Sequence, residues 1–343
     1  MSPTRVTISD VAWAAGVSPT LVSFALNDRP GVAPTTRARI LSVASDMGWS
    51  PSHRARALST ARSSAIGMVI ARDAELLASD PFFAPLLAGM ESVLGASGFS
   101  LLLRVVSPGE AERDAYRQLA AQARVDAVVL TDLRVRDRRP ALLRELGLLA
   151  VAVGRPAGRQ SLPRVVLDDR AGITAAVEHL LGLGHRRIAH VSGPRHFVHG
   201  AGRRRAWAAA LEAAGLRPGQ CVEADFTAAG GAKAMHALLD DPDPPTAVVF
   251  GNDLMAIAGS AAATGRGVDV PDRMSIVGFD DTELSAHLRP PLTSVRTDVV
   301  AWGRAAASTA LKLVEGRGAP DIDLPPAQLI VRGSTAPPPA IRH

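Results

Sequence analysis

A small all-α head followed by an α/β core of two parallel-sheet subdomains is the fold class this sequence predicts, and three observations predict it. The first 50 residues hold two short helical patterns with capping residues and a third apolar segment behind them. From Ala65 onward, short β-branched apolar runs alternate with helical patterns. At 343 residues the chain is too long for one small core, and its 47% hydrophobic content supports folding into two or three domains.

The head begins at Thr7. Thr7 and Asp10 have the spacing of a capping box, so a helix starts there with Val11, Ala12, Ala14 and Ala15 on its apolar face. Gly16 ends it. Ser18 caps a second helix with Pro19 at its first position, where a missing N–H removes no hydrogen bond, and Leu21, Val22, Ala25 and Leu26 face inward. Helix, glycine turn, helix is the layout of a helix-turn-helix unit. Asp28 to Gly31 reads as a turn. Pro34 then opens a third helix whose Ile40, Leu41, Val43, Ala44 and Met47 close a three-helix core. Ala33 holds the cap position of that helix, where a hydrogen-bonding side chain is worth about 1 kcal/mol.

In the core, strands are expected at residues 65–70, 99–105, 126–130, 149–153, 164–168, 187–191, 246–250 and 275–279. Helices such as 86–95 and 171–183 lie between them. Continuous apolar runs with helical crossovers predict parallel sheets covered on both faces. No internal repeat or heptad array is evident.

The net charge is +5, and its position is more telling than its size. Residues 1 to 62 carry seven Arg, no Lys and three Asp, hence +4, while the other 281 residues carry +1. A basic head on a nearly neutral body suits phosphate binding joined to a sensor. The only lysines are Lys233 and Lys312, so an Arg-rich composition accounts for the choice of Arg over Lys. It does not account for the concentration at one end.

Several function classes are excluded. Neither lysine is followed by Ser or Thr, so there is no G-x-x-x-x-G-K-[ST] phosphate loop, and no G-x-S-x-G elbow or complete G-x-G-x-x-G occurs. Cys221 is the single cysteine, which rules out an intrachain disulfide and a cysteine-based zinc site. His196 and His199 stand at i, i+3 without a third ligand, and a metal site needs three or four. No metal or cofactor is expected. No apolar run reaches transmembrane length and the start lacks a signal-peptide layout, which predicts a cytoplasmic protein without a membrane partner.

Thr7, Ile8, Asp10, Val11, Ala12, Ala15, Gly16, Val17, Ser18, Val22, Ser23, Leu26 and Asn27 match T-I-x-D-V-A-x-x-A-G-V-S-x-x-T-V-S-x-x-L-N in register. On these residues the chain resembles the lactose-repressor (LacI/GalR) family of bacterial transcription regulators, and the resemblance extends over nearly its whole length. It implies a periplasmic-binding-protein-like core whose two subdomains are joined by three crossings, near residues 164, 294 and 323. The head is then 1–50, the hinge helix and linker 51–64, and the effector-binding and dimerisation core 65–335. Within the core, the N-subdomain comprises 65–164 and 295–322 and the C-subdomain 165–294 and 323–335, before a tail at 336–343.

The same resemblance implies the DNA contacts. Pro19, Thr20, Ser23, Phe24 and Asn27 belong to the recognition helix, and Arg54, Ala55, Arg56 and Leu58 to the hinge, with Leu58 as the apolar wedge that unstacks a central base step. Phe24 stands where relatives often carry an Arg that reads guanine, so the operator should differ from theirs.

For the effector, Asn252 and Asp280 lie just past strand ends, where open α/β sheets bind ligands. The resemblance gives both hydrogen bonds to the effector. It also gives Phe226 a stacking role and places Phe82 and Phe83 on the N-subdomain wall, whereas Asp253 and Asp281 read as cap or turn residues. An anchoring Arg is expected six residues before Trp207, and Ala201 is there instead, with Arg195 or Arg203 as substitutes. The expected partners are therefore a pseudo-palindromic double-stranded operator, a neutral sugar- or nucleoside-like effector and a second copy of the chain. One alternative is a solute-binding protein of the same core fold, which the basic head argues against. Another is a regulator without ligand control, which Ala201 keeps open.

Overall fold

The structure is a computed structural model that describes residues 6–26, 29–49, 62–158 and 162–339. It divides into two compact units, Met1–Ser63 and Ser64–His343.

The first unit holds α1 (Ile8–Ala14), α2 (Pro19–Leu26) and α3 (Pro34–Asp46). Both halves of the Thr7/Asp10 capping box form, Gly16 turns the chain at φ +65°, and the Ser18 hydroxyl accepts the Leu21 N–H at 3.2 Å. Val11, Ala12, Ala15, Val22, Ala25, Ile40 and Ala44 make the core. Leu26, Val43 and Met47 pack half-buried against it, but three expected core residues are not part of it: Ala14 and Leu41 are exposed and Leu21 is half-buried outside the cluster, because one helical turn cannot direct four neighbouring side chains to the same face. At the start of α3 the cap is missing, as Ala33 implies.

The second unit contains two six-stranded sheets. The first runs β1 (Ala65–Ala71), β2 (Ser100–Val106), β3 (Ala127–Leu130), β4 (Leu149–Val153) and β5 (Arg164–Val166) in chain order. Its helices are α4 (Ala74–Ser79), α5 (Phe83–Leu94), α6 (Glu110–Ala121) and α7 (Arg139–Glu145). The second sheet is built from β6 (Ile188–Ser192), β7 (Cys221–Glu223), β8 (Ala247–Phe250), β9 (Ser275–Asp280) and β10 (Thr293–Arg296). With it go α8 (Asp169–Gly182), α9 (Val198–Ala213), α10 (Ala228–Leu239) and α11 (Asp253–Gly265). The chain then returns to the first sheet with α12 (Val299–Val314) and β11 (Ile322–Asp323), and ends on the second with β12 (Gln328–Ile330).

Every pairing is parallel except β10 with β12. Along β8, Val248 and Phe250 enter one core cluster and Val249 the other, so both sheet faces are covered. Strand pairing carries β5 to Val166 and β10 to Arg296, so the first two exchanges between sheets come at 167–168 and 297–298, beyond residues 164 and 294. The short strands β7, β10, β11 and β12 lack the long apolar runs that reveal the others.

Where α12 recrosses, it lies against α5 at glycine contact. A Cβ on Gly303 would sit 2.2 Å from the Leu86 carbonyl oxygen, and one on Gly89 would sit 2.2 Å from that of Val300. This approach fixes the N-subdomain on the returning chain.

Candidate functional site

In the head, Pro19 and Thr20 are exposed at the start of α2, and Ser23 and Phe24 are half-buried one turn later. The Arg29 guanidinium lies over the Phe24 ring, 5.8 Å from its centroid. The end of the helix thus offers an aromatic ring with a cation against it. Asn27, Arg54, Ala55, Arg56 and Leu58 lie outside the described residues.

In the second unit, a cavity of about 690 Å³ opens between the carboxyl ends of the two sheets. Phe82, Phe226, Asn252, Asp280, Arg195 and Arg203 all line it. Phe83 does not: it is 2% exposed and packs into the core of the first sheet, because as the first residue of α5 it follows the helix face that meets that core.

Phe226, at the N-terminal approach to α10, has φ +68°, a conformation that side chains other than Gly rarely take. Two features hold it. The Asn252 Nδ2 donates to the Phe226 carbonyl at 3.0 Å, and Gly193 leaves room for the ring, since a Cβ there would come within 1.9 Å of it. Asn252 also caps α11, its Oδ1 accepting the Met255 N–H at 2.9 Å. The cap is therefore Asn252, not Asp253. The carboxylate of Asp253 is buried and accepts from Thr282 N, Thr282 Oγ1, Ser285 Oγ and Ser294 Oγ. Asp281 is a turn residue at φ +52°, paired with Arg296 and Arg332.

Asp280 closes β9 at φ +116°. Burial, then the neighbouring Asp253 charge, pushes its carboxyl well above the usual range against the pull of Arg203. Arg203 is the member of the Arg203–Arg205 run that turns inward. Its Nε donates to Asp169 at 2.8 Å, its Nη1 to the Gly251 carbonyl at 2.6 Å, and its guanidinium lies 3.5 Å from the Phe279 ring centroid. Arg195 is at the exposed rim, paired with Glu223. Ala201 also lines the cavity, so the positive charge on this wall comes from a position further along α9.

The opposite wall contains residues the sequence patterns did not single out. Arg72 donates through Nε and Nη2 to both oxygens of Asp132, at 2.7 and 2.8 Å, and through Nη1 to Asp80 at 2.7 Å. Burial raises the Asp132 carboxyl, but Arg72 more than offsets this and leaves it below the ordinary value. For Asp80 burial wins and the value is raised. Phe82 meets Trp302 edge-on, with ring centroids 5.9 Å apart. The signal for Arg72 and Asp132 was present: they stand at the carboxyl ends of β1 and β3 as Asn252 and Asp280 stand at those of β8 and β9.

His199, half-buried beside Phe226 with ring centroids 5.4 Å apart, has its imidazole lowered to about 4 by desolvation together with Arg203. Two backbone hydrogen bonds tie the walls together, Val135 N–H to the His196 carbonyl at 2.9 Å and Val198 N–H to the Leu133 carbonyl at 2.8 Å. Left-handed backbone at Asp132, Phe226 and Asp280 converges on this one cavity, as strained residues do at ligand sites. Among the described residues, no three His, Cys, Asp or Glu side chains gather as a metal site would require, and no helix is long and apolar enough to cross a membrane.

Known proteins were compared with this chain. Residues 7–52 match bacterial regulatory proteins of the lacI family, and residues 177–335 match a periplasmic binding protein-like domain. The chain is 33% identical over 316 residues to the HTH-type transcriptional regulator CelR of Thermobifida fusca, covering 91% of this chain and 93% of that one. A solved CelR–cellobiose complex is similar with a TM-score of 0.75 at 31% identity, over 96% of this chain and 100% of that one. The lac repressor dimer bound to operator and the anti-inducer ONPF reaches a TM-score of 0.84 at 28% identity, over 97% of this chain and 100% of the other.

Proposed function

Because the chain belongs to the lacI family of bacterial regulatory proteins, we propose that it represses transcription as a homodimer on a pseudo-palindromic operator, under control of a neutral polar ring compound in the cavity. One recognition helix per chain reads few base pairs, and a two-fold pair of heads doubles the site. In this reading residues 1–50 are the DNA-binding head, with Pro19, Thr20, Ser23, Phe24 and Asn27 toward bases and phosphates. Residues 51–64 are the hinge, with Leu58 as its wedge and Arg54, Ala55 and Arg56 beside it. A DNA partner places the protein in the cytoplasm, and the relatives are regulators rather than enzymes.

The observation that carries the reading is the meeting of Phe226, Asn252, Asp280 and Arg203 on one wall of the cavity. Phe226 offers a ring face, and the polar side chains offer hydrogen bonds in a desolvated site. The two sheltered arginines of the lining are each held by aspartates, Arg72 by Asp80 and Asp132 and Arg203 by Asp169, while Arg155, Arg170, Arg195 and Arg205 line the cavity from its exposed rim. This pairing favours neutral over phosphorylated or carboxylated ligands. The CelR relative is solved with cellobiose, which puts neutral sugars first among candidates.

A ligand that prefers one closure of the cleft shifts the population of that closure and, through the hinge, the spacing of the two heads. The test is thermal-shift screening of neutral and anionic metabolites, with each hit added to an anisotropy titration of a labelled operator selected from random DNA. A neutral sugar or nucleoside that stabilises the protein, alters operator affinity and loses roughly tenfold to a hundredfold in affinity in Asp280→Ala supports the reading. A tight anionic ligand unaffected by that substitution contradicts it.

A further inference from the structure

In the head, α2 buries Val22 and Ala25 and turns Thr20 and Phe24 outward, Thr20 exposed and Phe24 half-buried. Standing four residues apart, these two lie one above the other on a single helix face. Arg29 comes just past the end of α2, exposed, with its guanidinium over the Phe24 ring. It adds a cation to a face that is otherwise hydroxyl and aromatic.

Arg29 is held at three points. Its N–H donates to the Phe24 carbonyl at 3.0 Å, the six-to-one bond that closes a helix C-terminus, and its own carbonyl accepts from Arg37 Nη2 of α3 at 2.7 Å. A contact between the side chains at the two ends of such a closure is usually apolar, and here it is a guanidinium 5.8 Å from a ring centroid. A contact to a phosphate needs a positive charge within reach, which a flexible side chain supplies. Nothing in such a contact calls for the arginine to be held. Fixing the backbone on both sides and laying the guanidinium on a ring serves a planar fork that must meet two acceptors in one orientation. On the major-groove edge of a base, O6 and N7 of guanine are that pair of acceptors. The Phe24 side chain has neither donor nor acceptor, so it cannot read them itself.

We propose that Arg29 is a specificity-determining residue that reads one guanine in each operator half-site, and that Phe24 is its positioning residue, aligning the guanidinium by stacking. This rests on the reading of α2 as the helix that enters the groove. Base reading then extends beyond the helix into the turn that follows it, and Arg37 steadies that turn from α3. The same pair on a second copy of the chain reads the guanine of the other half-site.

The test uses the full-length protein and an operator selected from random DNA, with each half-site position then varied in turn and binding read by anisotropy. Arg29→Lys keeps the charge and loses the fork, and it is expected to reduce the preference for one guanine by roughly tenfold to a hundredfold at that position alone. Phe24→Leu should weaken the preference at the same position, and Phe24→Tyr, which keeps the ring, should retain it. Arg29→Lys leaves the ring and both backbone hydrogen bonds in place, so it decides the matter even where Phe24→Leu unfolds the head. A position profile of Arg29→Lys identical to the wild type, with Arg29→Ala lowering affinity for operator and random DNA alike and cutting the salt slope by about one unit, makes Arg29 a phosphate contact and overturns the proposal. Losses at different positions in Arg29→Lys and Phe24→Leu, or at a base other than guanine, also overturn it and leave the DNA-binding reading standing. A protein that selects no preferred sequence overturns the two together.

Discussion

Asn252 acts on two structures at once, and its substitutions separate them. Its oxygen caps α11 through Met255 and its amide nitrogen holds the Phe226 carbonyl. Asn252→Asp keeps the acceptor for the helix and loses the donor, so Phe226 is released from φ +68° while the cap survives. About a tenfold loss of ligand affinity is expected with little change in melting temperature. Asn252→Ala loses both and should also cost about 1 kcal/mol of stability. Calorimetric titration and thermal melts of the two variants check this. At this scale the sequence was informative wherever a polar residue followed a long apolar strand, which located Asn252 and Asp280. It left Arg203 open beside Arg195, because three consecutive arginines on a helix do not reveal which one turns inward, and was silent on Asp80, whose place depends on Arg72 reaching across from β1. Phe83 misled because two adjacent aromatic residues point in different directions on a helix.

Elements sort by how local their cause is. The capping box at Thr7, the proline starts of α2 and α3 and the long buried strands follow from neighbouring residues, and they were readable. β7, β10, β11 and β12 follow from which edge the returning chain finds, and they were not. The α5–α12 packing is of the second kind. Gly303→Ala would drive a methyl group into the Leu86 carbonyl and force the helices apart, with an expected loss of about 1–3 kcal/mol in denaturant unfolding. Gly98→Ala, at the left-handed residue before β2 with open space around its Cβ, isolates the strain of positive φ from that of crowding. If residues 51–64 act as the proposed hinge with Leu58 as its wedge, Leu58→Ala is expected to weaken operator binding far more than binding to random DNA, since a kinked step is filled only in the specific complex. Arg54→Ala or Arg56→Ala should lower affinity for every sequence and reduce the salt slope by about one unit for each phosphate left without its arginine.

Across the whole molecule, desolvated histidines couple stability to pH. Burial lowers His190 and His199 to about 4. The unfolded chain, with its ordinary imidazoles near 6.5, therefore binds more protons than the folded one between about pH 4 and 6.5. The stability these groups contribute is present above about 6.5 and declines as pH falls toward 4, with a slope of up to about 1.4 kcal/mol per pH unit for each. The raised carboxyls of Asp253 and Asp280 act in the opposite sense. Comparing the wild type with His190→Asn, whose amide can keep the bond to the Val249 carbonyl, isolates one imidazole, and the variant should show the shallower pH dependence.

The central claim is that the cavity and the DNA-binding head are linked by one equilibrium, and thermodynamic reciprocity tests it most directly. Operator affinity is measured by anisotropy with and without a saturating ligand from the thermal-shift screen, and the affinity for that ligand by calorimetry with and without operator. The two ratios should be the same factor, within the roughly 5- to 150-fold span of such couplings, and in Asp280→Ala the effect on operator affinity should need roughly tenfold to a hundredfold more ligand. A ligand that binds through Asp280 and leaves operator affinity unchanged would contradict the account.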